Sequence, residues 1–177
     1  MNGPFTISGL GVVGGFGCGV NALNEALRQG KPTGAIRKER PSGPSGRWPG
    51  HFADTDALTG YVEKRHLRRI DHFTRLTLLC GFLALDDASL LAGPRPRLGI
   101  ILATGNGATA NQFDGAMDLN GDNEIFGSPT KFAASVHNAA AATLAILLKE
   151  RGPNLTVSQF DQSMGQAFLS ALHWLRE

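Results

Sequence analysis

The sequence predicts an α/β fold: one layered domain, with a parallel-rich sheet carrying helices on its faces. Three observations predict it. Short apolar runs suited to buried strands alternate with stretches whose apolar residues recur at three- and four-residue steps. That alternation implies parallel pairing through crossover connections. A length of 177 residues, 42% of them hydrophobic, is enough for one sizeable core, so 1–177 reads as a single domain.

Taken in order, Phe5 to Val13 is short, apolar and dotted with glycine, which suits a buried strand, and Asn21 to Arg28 follows with helical spacing. Residues 30–60 read as a surface excursion, densest in Pro, Gly, Ser and Arg between Gly30 and Gly50. Arg65 to Leu91 gives the longest helical pattern, through Ile70, Phe73, Leu76, Leu79, Phe82, Leu83 and Leu90, with Gly93-Pro94 closing it. Leu98 to Ala103 is a continuous apolar run that delivers Thr104-Gly105-Asn106-Gly107, the loop at a strand's C-terminal end where open α/β sheets place function. Ser135 to Lys149 is alanine-rich and helical, Gly152-Pro153 stops it, Leu155 to Ser158 forms another short strand, and Ser163 to Leu175 resumes helical spacing.

Charge excludes some functions. With 17 basic and 15 acidic residues the formal net charge is +2, which supplies no field for nucleic acid or an anionic membrane. Cys18 and Cys80 show no paired spacing, so a reducing cytoplasm fits best. No run of about 18 apolar residues and no basic leader is present, which predicts an untargeted protein with no membrane span.

Each local motif has a bland explanation beside a chemical one. Gly9-Leu10-Gly11-Val12-Val13-Gly14 fits a dinucleotide fingerprint, but the acidic residue expected about twenty positions on is replaced by the Lys31 to Gly50 loop. Asp118-Leu119-Asn120-Gly121-Asp122 begins like a calcium loop, yet Asn123 stands where glycine is needed and Pro129 where glutamate is. The histidines and cysteines lack zinc-ligand spacing; neither a metal nor a cofactor is expected. Cys80 reads as a small core residue, Cys18 as a more exposed thiol without a histidine, and His137 as a hydrogen-bonded packing residue. Asp161 and Ser163 sit where a helix begins, and N-capping accounts for them.

Several segments, in order along nearly the whole chain, resemble the β-ketoacyl synthase family of thiolase-like fold. They are Ile7-Ser8-Gly9-Leu10-Gly11-Val12-Val13, Arg68-Arg69-Ile70-Asp71-His72-Phe73-Thr74-Arg75, Gly99 to Gly105, Ser128-Pro129 with Ser135 to Ala141, and Arg151 to Ser158. The resemblance implies the N-terminal half of that fold, truncated relative to a full ketosynthase. An active member follows the last strand with a cysteine at the start of a buried helix, whose dipole lowers the thiol pKa. Here the text is Gln159-Phe160-Asp161-Gln162-Ser163-Met164-Gly165. Counting from Gly152-Pro153 puts Asp161 at the cysteine position; aligning Gly165 with the family's glycine puts Gln162 there. Neither side chain carries a thioester, and an ester at Ser163 requires a base that the sequence does not name.

The pair Asp161-Gln162 resembles that of chain-length-factor subunits, in which glutamine replaces the cysteine, often after an acidic residue. That likeness implies a non-condensing subunit pairing with an active β-ketoacyl synthase in polyketide, aryl-polyene or fatty-acid-type biosynthesis. Phe160, Asp161, Gln162 and Ser163 would then shape an elbow pocket. The family also implies a dimer, with a ketosynthase or with itself, through the strand Asn154, Leu155, Thr156, Val157 and Ser158, acyl carrier protein being met indirectly. Two other readings stay open: a malonyl-carrier-protein decarboxylase in which Gln162 holds the thioester carbonyl, and a degenerate remnant with only a structural or interaction role. Also open is whether the short chain is natural, a fragment, or completed by a separate chain.

Overall fold

A computed structural model describes residues 5–30, 51–92, 98–112 and 129–176. Its centre is a parallel pair, β3 (Ile100–Thr104) and β4 (Asn154–Ser158), in register from Ile100 opposite Asn154 to Thr104 opposite Ser158. The expected strands at these positions form because both runs are apolar or β-branched and stop at turn-forming residues. Helices α5 (Ala139–Leu148) and α6 (Ser163–Trp174) pack against both strands. Helix α3 (His72–Asp87) lies on α5, where Gly81 lets the two axes approach: a Cβ there would sit 2.8 Å from Leu144 Cδ2. The core comprises Leu58, Val62, Leu67, Leu78, Leu79, Phe82, Leu144 and Leu148.

The N-terminal segment differs from the expected strand. Among the described residues its pairing is limited to Val13–Gly14 (β1), in an antiparallel hairpin with Gly17–Cys18 (β2), and α1 (Val20–Gln29) follows. Before β1 the chain lies on α3 instead of in a ladder. Gly9 and Gly11 rest on the carbonyls of Ala84 and Cys80 with no room for a Cβ, and the Leu10 amide donates to Asp87 Oδ2 at 2.8 Å. These glycines serve close packing, not a strand-to-helix turn, which disposes of the dinucleotide fingerprint.

The helix expected over Arg65 to Leu91 is two helices, α2 (Lys64–Leu67) and α3. Asp71 divides them, since its carboxylate accepts from the Thr74 amide at 3.0 Å and the Thr74 hydroxyl at 2.7 Å, an N-cap. Arg75 completes the junction by donating to Leu67 O at 2.7 Å and Ile70 O at 3.0 Å, carbonyls the break leaves open. Helix α3 stops at Ala88, with Ser89 at φ 57 and the Leu90 amide returning to Leu85 O at 2.7 Å. Gly93-Pro94 lies outside the described residues.

The helix expected over Ser135 to Lys149 begins later, as α5, and is preceded by a separate helix, α4 (Pro129–Ser135), at 96° to it. Val136-His137-Asn138 form the corner, the Ala139 amide bonding back to Val136 O at 3.1 Å while the His137 ring lies over Gly107. Of the expected excursion, 31–50 falls outside the described residues. Its final part carries a 3-10 turn, Asp56–Gly60, organised by Asp54, whose carboxylate accepts from the Asp56 amide at 2.7 Å; the turn buries Leu58 completely while Asp56, Ala57, Thr59 and Gly60 stay exposed. Among the described residues no single helix is long and apolar enough to cross a membrane.

Candidate site at the strand-to-helix elbow

Because β3 and β4 run parallel and in register, the loops leaving Thr104 and Ser158 emerge side by side. After β3 the chain turns at once: the Gly107 amide donates to Thr104 Oγ1 at 2.9 Å, and Gly107 takes φ 64, a conformation that favours glycine. After β4 come Gln159, a 3-10 turn over Phe160–Gln162, and α6. Phe160 itself has φ 48, unusual for a residue with a β-carbon and more so for an aromatic.

Ser163 holds the two loops together. Its buried hydroxyl oxygen accepts from the Gln159 amide at 2.8 Å and lies 2.8 Å from both Thr104 O and Phe160 O, to one of which its proton is donated. Gly105 lies beside the Phe160 backbone, and a Cβ there would stand 3.9 Å from it, an ordinary contact. The expected capping of α6 by Asp161 or Ser163 is thereby corrected. Among the described residues no side chain caps this helix, Gln162 occupies the N-cap position, Asp161 is exposed, and the Ser163 hydroxyl is directed to the preceding turn and to β3. The hydrogen-bond partners of Ser163 are backbone groups that accept no proton at neutral pH, so they give an ester at Ser163 no general base.

The elbow side chains point outward, with Phe160, Asp161 and Gln162 all exposed. His137 reaches the same end of the sheet through Gly107, a proximity not visible in its alanine-rich context. Neither thiol is here. Cys18 ends β2 and Cys80 sits within α3. Burial pushes the Cys18 thiol up, helped by the Asp54 carboxylate. Cys80 is also pushed up, by burial and then by Cys18. Both therefore stay protonated at neutral pH, the reverse of what an activated nucleophile needs.

The strand expected to form an interface, Asn154 to Ser158, gives one edge to β3; among the described residues no strand pairs with its other edge. Asn154 is also tied inward, its amide donating to Ala141 O at 3.1 Å. Among the described residues no cluster of three or more His, Cys, Asp or Glu side chains is placed to hold a metal ion. The candidate calcium loop at Asp118 to Asp122 lies outside them.

Two parallel strands, a sharp turn at their C-terminal ends and a helix leaving it are shared by many α/β folds. Comparison with known proteins narrows the choice: a family model for the β-ketoacyl synthase N-terminal domain matches residues 55–177. The chain belongs to the β-ketoacyl synthase family. It is 28% identical to the chloroplastic 3-oxoacyl-[acyl-carrier-protein] synthase I of Hordeum vulgare, over 96% of this chain and 38% of that protein. It is 27% identical to 3-oxoacyl-[acyl-carrier-protein] synthase 2 of Vibrio harveyi, over 86% of this chain and 37% of that one. The chain thus spans well under half the length of these curated relatives. Among solved structures, the ishigamide ketosynthase/chain length factor is similar with TM-score 0.73 and 22% identity, over 93% of this chain and 47% of the neighbour. A ketosynthase in complex with its chain length factor from Xenorhabdus doucetiae is similar with TM-score 0.60 and 20% identity, over 95% of this chain and 62% of the neighbour. These likenesses carry the thiolase-like ketosynthase fold, of which the chain represents the N-terminal half. The family membership read from Arg68 to Arg75, Ser135 to Ala141 and Arg151 to Ser158 is borne out.

Proposed function

We propose that this chain is a non-condensing, chain-length-factor-like subunit that pairs with an active β-ketoacyl synthase in polyketide, aryl-polyene or fatty-acid-type biosynthesis. The observation that carries the reading is the elbow after β4. Phe160, Asp161, Gln162 and Ser163 fill it without a thiol, and the only hydroxyl among them is bound to backbone groups. Condensation by the family's covalent route needs a nucleophile at this turn, so a chain built this way contributes shape and contact while a cysteine-bearing partner forms the bond. Acyl carrier protein then meets the partner, and this subunit only indirectly. Among the described residues no strand covers the second edge of β4 from Asn154 to Ser158, and an open row of backbone groups favours strand addition, which supports pairing. The two solved neighbours that contain a ketosynthase and a chain length factor are consistent with this assembly.

Product analysis tests the role. The ketosynthase encoded nearest to this chain is co-purified with it and supplied with carrier-bound substrates. Wild-type subunit is expected to change product length or yield relative to the ketosynthase alone, and Gln162→Ala to shift that distribution. Products identical with and without the subunit, or carbon dioxide released from malonyl-carrier protein by this chain alone, would contradict the reading.

A further inference from the structure

We draw no further inference here: the strongest candidate, the apolar groove between the start of β3 and the end of α6 lined by Ile101, Pro153, Trp174 and Leu175, carries nothing, because the chain spans well under half the length of its curated relatives and nothing in the structure shows what covers that face.

Discussion

Ser163 sits 59 positions from Thr104 in sequence, and its hydroxyl lies within hydrogen-bonding distance of that residue's carbonyl at the centre of the candidate site. Removing the oxygen strands a buried acceptor and the Gln159 donor together, and an unsatisfied buried polar group costs about 1–3 kcal/mol. Ser163→Ala is therefore expected to lower the urea midpoint by that amount of stability with the denaturant slope unchanged, as followed by circular dichroism; an unchanged midpoint contradicts the tie. The residue's presence at a helix start was legible in the sequence, but its role was not. Capping is a local rule, whereas the Thr104 bond exists only because β3 and β4 align in register. Phe160 was legible as an elbow residue and illegible as a strained one, since φ 48 follows from the turn and not from any propensity of phenylalanine.

At the scale of elements, apolar periodicity located helices but not their breaks. The three- and four-residue steps run through Ile70 and Phe73 as if one helix continued, because both sides of the junction face the same core. The break lay in the polar residues of the same motif, Asp71 and Thr74 three positions apart, with Arg75 returning to the last carbonyls of α2. Asp71→Ala removes two hydrogen bonds and is expected to lower stability by about 0.5–2 kcal/mol, measured by thermal melting. Asp71→Asn, which keeps an acceptor, is expected to lose less, and equal losses contradict capping as the cause. The segment before β1 failed as a strand for another physical reason. Gly9 and Gly11 read equally well as strand residues and as residues that let a chain lie on a helix backbone, and the structure takes the second. The corner at Val136 to Asn138 was hidden by the alanines that follow it, although Val, His and Asn themselves favour helix less than alanine does.

At the scale of the whole molecule, the alternation of strands and helices was enough to give the parallel pair and its covering helices. Leu98 to Ala103 and Leu155 to Ser158 are short apolar runs closed by turn residues on a chain too small for a second core. The family resemblance implied what periodicity does not, that the turn after β4 stands where a condensing enzyme would keep its cysteine. What the chain exposes there was out of reach of the sequence, because exposure is a property of the assembled surface. The proposed subunit pairing accounts for the second edge of β4, which no strand among the described residues covers. The most direct test of that account is co-expression of this chain with the ketosynthase encoded nearest to it, followed by size-exclusion chromatography with light scattering. The account predicts a stable one-to-one complex, and a clean self-dimer that ignores the ketosynthase would contradict it.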